Sequence, residues 1–302
     1  MVDSQARAWL NGFVGMLIFS GSLPAMRAAV LAFDPVFLTL ARASLAGLLA
    51  TGMLLLFGRS WPSPGDLVSL GIVVFGVVIG FPLLTALALS HVTAAHATVF
   101  LGLLPMATTL FSVVRGEAAP RPIFWAFAVT GAVLVSGYAL RSGFTASPVG
   151  DLLMAASIVV CGLGYAEGAR LSRTLGGWQV TAWALVLALP LMLPLAVVTM
   201  PASVEHVGAP AWLGLAYVSV FSMIVGFVFW YRGLALGGIA TVGQLQLLQP
   251  FFGLALAALL LGETVDGAMI AVSAAVALCV AGVRRYGTAP GSGAALAEGE
   301  KA

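Results

Sequence analysis

The feature that most constrains this chain is a succession of ten apolar stretches with few charged residues, each long enough to cross a bilayer. A transmembrane helix needs roughly 20 mostly apolar residues to cross about 30 Å of hydrocarbon. Short segments rich in Arg, Asp, Pro and Gly separate the stretches, and these residue types are typical of turns. The predicted spans are 8–30, 35–57, 66–89, 92–114, 122–140, 150–171, 178–199, 211–234, 237–261 and 266–283. The sequence therefore predicts an all-α polytopic membrane protein with ten transmembrane helices.

The composition excludes several classes of protein. Hydrophobic residues make up 61% of the chain and charged residues 8%, whereas a soluble domain carries about 25% charged residues. The net charge is only +2, and the basic residues are dispersed along the chain and do not form a polybasic cluster. Nucleic acid is therefore not an expected partner. Cys161 and Cys279 lie in apolar spans without a C-x-x-C motif, so neither a metal site nor a disulfide framework is predicted. No cofactor is expected.

The distribution of basic residues predicts the orientation. With a cytoplasmic N-terminus, ten of the thirteen Lys and Arg residues lie at cytoplasmic ends. These ten are Arg7, Arg59, Arg115, Arg121, Arg170, Arg173, Arg232, Arg284, Arg285 and Lys301. Arg27 and Arg141 fall outside, and Arg42 lies within the second span. The positive-inside rule therefore predicts a multi-pass protein of the bacterial inner membrane with both termini cytoplasmic, and residues 287–302 are predicted to form a disordered cytoplasmic tail.

The chain also repeats itself. The segment from His96 to Pro105 resembles the segment from Thr241 to Pro250, and the two prolines are 145 positions apart. A Gly-Glu pair at 116–117 recurs 146 positions later. The offset spans five predicted helices, an odd number, so the second copy enters the membrane from the opposite side. The sequence predicts two inverted repeats, 1–145 and 146–286, which favour alternating access in a carrier. A duplication that only supplied helices for another function is the alternative.

These motifs resemble the EamA-type ten-helix exporters of the drug/metabolite transporter (DMT) superfamily. The resemblance rests on a span rich in small residues that leads to Pro105 or Pro250 and then to a Gly-Glu pair, and on Arg42 in the second helix. It is most like the YddG-type aromatic amino acid exporters. The resemblance implies a basket-like DMT fold whose central cavity is lined by spans 1, 3, 4, 6, 8 and 9. Gly102 and Leu104 depart from the aromatic residues of YddG-type cavities.

Polar side chains inside the spans are candidates for substrate binding. Gln246 and Gln249 precede Pro250 and share a helical face by their spacing, while Gln244 points elsewhere. An amide in hydrocarbon needs partners, so the sequence favours a substrate-binding patch, with hydrogen bonds between helices as the alternative.

Three ionisable residues in the spans are candidates for a coupling or a structural role. Arg42 lies about 10 Å below the outer helix end and can therefore also snorkel to the interface. His96 has no clustered Asp, Glu or His, which favours packing. Glu167 and Arg170 are three positions apart near the cytoplasmic end of span 6 and are expected to pair.

Aromatic residues and prolines complete the set of candidates. Phe81, Phe100, Tyr165 and Trp230 lie on the spans that the resemblance assigns to the cavity, although aromatic residues in such helices more often pack or face lipid. Pro105 and Pro250 are predicted to kink their helices at the binding site, as gating elements or as simple packing kinks.

The sequence lacks the motifs of a membrane-embedded enzyme. H-E-x-x-H, G-x-S-x-G and Walker motifs do not occur, so an enzyme is not predicted and a gradient is expected to drive the protein. Amides, hydroxyls and aromatic rings with few fixed charges suit amino acids, aromatic or otherwise apolar, and their analogues. The prediction is a secondary transporter that exports such small molecules. A lipid flippase, or a carrier of another small metabolite or drug, is the alternative. The expected partners are the small-molecule substrate and the lipid bilayer, with a monomer as one option.

Overall fold

Helices form the regular structure of this protein, which is described here from a computed structural model. The structure describes residues 2–57, 61–88, 91, 92, 97, 100–141, 147–261 and 267–286. Six helices in these ranges are long and apolar enough to cross a membrane. They are Ser4–Val30, Pro35–Leu56, Pro64–Ala88, Pro148–Leu175, Gly177–Val198 and Ala209–Gly237. The all-helical membrane class of the sequence prediction therefore holds, and the count of ten spans stays a prediction.

The α-helical segments are numbered in chain order. They are α1 (Val2–Ser20), α2 (Ser22–Val30), α3 (Pro35–Leu56), α4 (Pro64–Val73), α5 (Phe81–Ala88), α6 (Leu104–Val114), α7 (Pro122–Arg141), α8 (Pro148–Leu175), α9 (Gly177–Val198), α10 (Ala209–Tyr217), α11 (Phe227–Gly237), α12 (Ile239–Gly243), α13 (Gln249–Leu261) and α14 (Gly267–Tyr286). His96, the pair Gly262-Glu263 and the predicted tail at 287–302 lie outside the described residues.

Three helices begin with the same pattern, a side-chain cap followed by a proline. Asp34, Ser63 and Ser147 each place a side-chain oxygen on a backbone N–H of the first helical turn. A proline follows each of them, and it fits there because the first turn leaves its N–H groups unpaired. The turn signals read between the predicted spans are thus helix caps in the structure.

Glycines in the left-handed region end the helices. Gly116 has a φ of 97°, and it follows α6. Its N–H bonds the Val113 carbonyl at 3.0 Å, and the N–H of Glu117 bonds the Ser112 carbonyl at 3.0 Å. This is the Schellman arrangement, in which a residue with a Cβ is strained. The glycine of the first Gly-Glu pair therefore terminates its helix.

Several of the membrane helices contain turns of a different pitch. A π segment, Val74–Gly80, joins α4 to α5, and a second, Val218–Gly226, joins α10 to α11. A 3-10 segment, Gln244–Leu248, joins α12 to α13. Such segments occur often at functional sites because they change the direction of the side chains that follow.

Glycine contacts bring the π segments against neighbouring helices. A Cβ added to Gly76 would lie 3.1 Å from the Gly164 Cα of α8. A Cβ added to Gly15 of α1 would lie 2.9 Å from the Trp230 backbone nitrogen and 3.0 Å from the Gly226 oxygen. The span with the first π segment therefore packs on α8, and the span with the second packs on α1. The first contact joins predicted spans 3 and 6, and the second joins predicted spans 8 and 1. The two contacts are therefore equivalent when spans 1–5 are matched with spans 6–10.

Candidate functional site

Tyr165 lies at the centre of a buried group of aromatic rings. It stands on α8 with 5% of its surface exposed. Its ring centroid is 5.8 Å from Phe227, 6.0 Å from Trp230 and 6.5 Å from Tyr231. Phe19 of α1 adds contacts of 4.9 Å to Phe227 and 6.1 Å to Trp230. We call these five residues the aromatic cluster.

The second π segment positions one side of this cluster. Phe227 follows Gly226, where the π segment ends. A Cβ on Gly226 would lie 2.7 Å from the Phe19 ring, so glycine allows α1 to approach closely at this point. The wider turn thus directs Phe227 and Trp230 toward Tyr165.

Arg42 of α3 reaches the same region from another direction. It is 5% exposed, and its Nη2 donates a hydrogen bond to the Met223 sulfur at 3.0 Å. Met223 is at the middle of the 29-residue helix Ala209–Gly237. The guanidinium is also close enough to Tyr165 to interact electrostatically. The guanidinium is therefore buried between helices and does not reach the interface by snorkelling in this conformation.

The glutamines of the 3-10 segment are buried, and Gln246 lies beside the aromatic cluster. Gln244 is 0% exposed and Gln246 is 6% exposed. The side chain of Gln246 is close to the Tyr165 hydroxyl. The Nε2 of Gln249 donates to the backbone oxygen of Phe19, a member of the aromatic cluster, at 3.5 Å. The shared face predicted for Gln246 and Gln249 stays a prediction.

Several polar atoms in this region have no hydrogen-bond partner. They are Arg42 Nε, Trp230 Nε1 and Gln246 Oε1. Most buried polar groups in proteins are hydrogen-bonded, so each exception needs an explanation. A ligand that supplies the missing partners is such an explanation. We call Arg42, Tyr165, Trp230 and Gln246 the central site.

Two spaces adjoin the helices that carry the central site. A void of about 10 Å³ is bounded by Met223, Phe227 and Tyr231, among others, which is room for about one water molecule. A larger groove of about 390 Å³ lies between α3 and the second π-containing helix, lined by apolar side chains such as Met53, Ile224 and Phe229.

The two prolines lie where helical segments begin. Pro105 lies in the first turn of α6, just after the helix start at Leu104, and Pro250 is the second residue of α13. A proline in a first turn removes no helical hydrogen bond. A turn at 102–103 precedes α6, and the 3-10 segment precedes α13, so both prolines stand at changes of helix geometry. The predicted kinks themselves stay predictions.

The other aromatic candidates lie in the same core. Phe81 and Phe100 are half-buried and pack against the hydrophobic cluster that contains Tyr165 and Trp230. Phe81 directly follows the first π segment, as Phe227 follows the second.

A charged network lies at the predicted cytoplasmic end of α8. Glu167 is 0% exposed. Its carboxylate accepts hydrogen bonds from Arg115 Nε at 2.8 Å and Nη2 at 2.9 Å, from Ser69 at 2.7 Å and from Arg170 at 2.5 Å. The carboxylate raises the pKa of Arg115. The pairing with Arg170 is as expected, and Arg115 and Ser69 are partners that the sequence did not indicate.

A second ion pair gives the Glu of the first Gly-Glu motif a structural partner. Glu117 binds Arg173 of α8 through Oε1 to Nη1 at 2.6 Å and Oε2 to Nη2 at 3.1 Å. Together with the Glu167 network, this pair fastens the end of α6 to α8. No group of three or more His, Cys, Asp or Glu side chains able to hold a metal occurs in the described ranges.

One sequence signal for the central site was missed. The stretch Phe75 to Phe81 recurs as Phe221 to Phe227, with Phe at both ends and Gly before the second Phe in each copy. Each copy carries a π segment. Comparing the two predicted repeats position by position would have found it.

Comparison with known proteins identifies the family of this chain. A model of the EamA-like transporter family matches residues 7–137 and again residues 148–284. The chain belongs to the EamA-like transporter family. An uncharacterised transporter of Bacillus subtilis (strain 168), YdeK, is 63% identical over 285 residues, which cover 94% of this chain and 99% of YdeK. An uncharacterised transporter of Archaeoglobus fulgidus is 25% identical and covers 83% of this chain and 88% of its own length.

A solved crystal structure has the same fold as this EamA-like chain. It superposes with a TM-score of 0.76 at 23% sequence identity, covering 92% of this chain and 96% of the other. Membership in a transporter family, with several membrane-spanning helices, establishes a membrane transporter and supports a role other than catalysis.

Proposed function

We propose that this EamA-like transporter exports amino acids with aromatic or other apolar side chains across the bacterial inner membrane. The observation that carries the proposal is the central site, where unpartnered hydrogen-bonding atoms are buried against a cluster of aromatic rings. It is a secondary transporter, both of whose termini are cytoplasmic.

The chemistry of the central site matches the parts of an amino acid. The free carbonyl oxygen of Gln246 can accept a hydrogen bond from an ammonium group. The faces of Tyr165 and Trp230 suit both an apolar side chain and, through cation–π attraction, the ammonium itself. Binding of such a ligand removes the penalty of the unpaired Gln246 oxygen.

Internal symmetry supports alternating access. The family model matches the chain twice. The two π segments lie 144 to 146 positions apart. The contact of the first π-containing span with α8 has its equivalent in the contact of the second π-containing span with α1. We propose ten spans in two inverted repeats, 1–145 and 146–286. Halves of this kind can exchange conformations and open one central site to either face.

The interrupted helices fit this scheme. α6 and α13 begin at equivalent places with Pro105 and Pro250, and broken helices near a binding site are tolerated where they line a cavity. The two breaks are the proposed hinges. Phe81 and Phe100 are further candidates for the cavity wall once the helices separate.

A counterflow assay tests the proposal. The purified protein is reconstituted in vesicles loaded with one unlabelled amino acid, and entry of each of a panel of labelled amino acids is measured, with and without a pH gradient. Phenylalanine, tryptophan and leucine are expected to enter, and lysine and glutamate are not. Trp230→Ala is expected to abolish entry. Trp212→Ala is the matched control, because Trp212 is 42% exposed and packs on Phe33. Absence of all amino acid entry would overturn the proposal.

A lipid flippase is the second candidate, because one groove suits an acyl chain. The groove of about 390 Å³ between α3 and the second π-containing helix is lined by apolar side chains only. Movement of a labelled phospholipid between leaflets of the same vesicles, without amino acid entry, would favour this function.

A further inference from the structure

We infer that Arg42 is the anion-binding residue of the central site and that it holds the carboxylate of the transported molecule. The inference rests on the proposed function for the identity of the site, and it adds the charge that a substrate must carry.

The first argument is the missing counterion. Arg42 is a cation with 5% exposure, and no carboxylate in the described part of the chain forms an ion pair with it. Glu167 and Glu117 are held by other arginines. A buried charge without a partner is strongly unfavourable, and intramembrane ionisable residues are functional candidates for that reason.

The second argument is the geometry of the guanidinium. Nε and Nη2 lie on one edge of the group and can bind the two oxygens of a carboxylate in parallel. On Arg42, Nε has no partner and Nη2 contacts only the Met223 sulfur, which is a weak acceptor. The edge that best binds a carboxylate is therefore open to a stronger acceptor.

The same chain shows this edge in use. Arg115 binds Glu167 through Nε and Nη2, at 2.8 and 2.9 Å. A substrate carboxylate that displaces the Met223 contact can make the equivalent pair with Arg42. The pair of Arg115 with Glu167 thus shows the geometry that we expect for Arg42 with a bound carboxylate.

The third argument is the arrangement of the other free groups. Tyr165 is close to Arg42 on one side and to Gln246 on the other. A zwitterion with its carboxylate on Arg42 can therefore place its ammonium near the free Gln246 oxygen and its side chain against the aromatic cluster. Cations without a carboxylate are not expected to bind at the central site, because their charge would be repelled by the unpaired guanidinium of Arg42.

Thermal stabilisation of the purified full-length protein by ligands tests the inference. The probes are phenylalanine, 3-phenylpropionate, which lacks the amine, and phenethylamine, which lacks the carboxylate. The first two are expected to raise the melting temperature of the wild-type protein, and phenethylamine is not. In Arg42→Met the apparent affinity for both carboxylates is expected to fall about tenfold to a hundredfold, as for a lost charged hydrogen-bonding pair.

Two further variants separate binding from stability. Arg42→Met is expected to melt at the wild-type temperature or higher without ligand, because it removes an unpaired buried charge. Arg42→Lys keeps the charge but not the two-nitrogen edge, and it is expected to bind more weakly than wild type and more tightly than Arg42→Met. Arg232→Met, at an exposed arginine of α11, is the control and is expected to bind like wild type.

The outcomes distinguish this inference from the proposed function. Stabilisation by 3-phenylpropionate that depends on Arg42, without amino acid transport, supports the anion site and overturns the amino acid assignment. Amino acid transport that is unchanged in Arg42→Met overturns the anion site and leaves the transporter assignment. Equal stabilisation of the wild-type and Arg42→Met proteins by 3-phenylpropionate, or stabilisation of neither, also overturns it.

Discussion

Arg115 binds the buried carboxylate of Glu167 through two parallel hydrogen bonds, of 2.8 and 2.9 Å, and so fastens the end of α6 to α8. The same carboxylate accepts further hydrogen bonds from Ser69 and Arg170. The carboxylate is fully buried, whereas Arg115 is 37% and Arg170 43% exposed. Water therefore screens the cations in part, and the network contributes less than a fully buried one would.

Glu167→Gln is expected to lower the stability of the protein by about 1–3 kcal/mol, because a neutral amide cannot replace charged hydrogen bonds to two arginines. The melting temperature of the purified variant in detergent measures this. Glu205→Gln, at an exposed carboxylate of the loop before α10, is the control. A loss of pH-gradient dependence with an unchanged melting temperature would instead assign Glu167 a coupling role.

Gly116→Ala is expected to cost about 1–2 kcal/mol, because the φ of 97° places a Cβ in the disfavoured left-handed region. Gly52→Ala is the matched control, since Gly52 lies inside α3 and nothing is within 4 Å of its added Cβ. That change is expected to stabilise the helix by about 0.5–1 kcal/mol. Equal melting temperatures for the two variants would contradict the role of Gly116 as a helix terminator.

Gly76→Ala is expected to separate the first π segment from α8. An added Cβ would meet the Val160 carbonyl oxygen and lie 3.1 Å from the Gly164 Cα, and overpacking of this kind costs typically about 1–3 kcal/mol. Gly71→Ala, one turn earlier in open space, is the control. Thermal unfolding of both variants is the measurement, and a Gly76→Ala protein as stable as Gly71→Ala would show that the close contact is not required.

Gln246→Leu and Gln249→Leu are expected to behave differently, although three positions separate them. Gln246 faces Tyr165 in the central site, and its loss is expected to weaken substrate binding about tenfold, or about 1.4 kcal/mol. Gln249 bonds the Phe19 backbone, so its loss is expected to lower stability by on the order of 1 kcal/mol and leave affinity unchanged. Transport kinetics and melting temperature are measured on the same preparations. Equal loss of affinity in both would place Gln249 in the site as well.

Much of the fold could be predicted because the bilayer limits the solutions. Apolar length fixes the helices, and the pairs Asp34-Pro35 and Ser147-Pro148 mark helix starts by a local rule that the structure reproduces. Polar residues stand out in such spans, which is why Gln246 and Arg42 were candidates from the sequence. Tyr165 and Trp230 were chosen only by their position on the expected cavity helices.

The remaining features depend on tertiary structure or on helix pitch. The partnership of Arg115 with Glu167 joins residues 52 positions apart, and no local pattern indicates it. The 3-10 segment changes the helix pitch at Gln244–Leu248, and no local pattern in the sequence indicated it. Arg42 is buried because another helix packs against it and brings Met223, 181 positions later in the sequence, into contact with the guanidinium.

The most direct test of the account is trans-stimulation of phenylalanine transport. Vesicles containing the wild-type protein or Gln246→Leu are prepared empty or preloaded with unlabelled phenylalanine, and the initial rate of labelled phenylalanine entry is measured. A carrier that alternates around one central site returns faster when loaded, so preloading is expected to accelerate entry into wild-type vesicles, and Gln246→Leu is expected to need about tenfold more substrate for the same rate. Entry that is independent of preloading, or equal in the two proteins, would contradict the account.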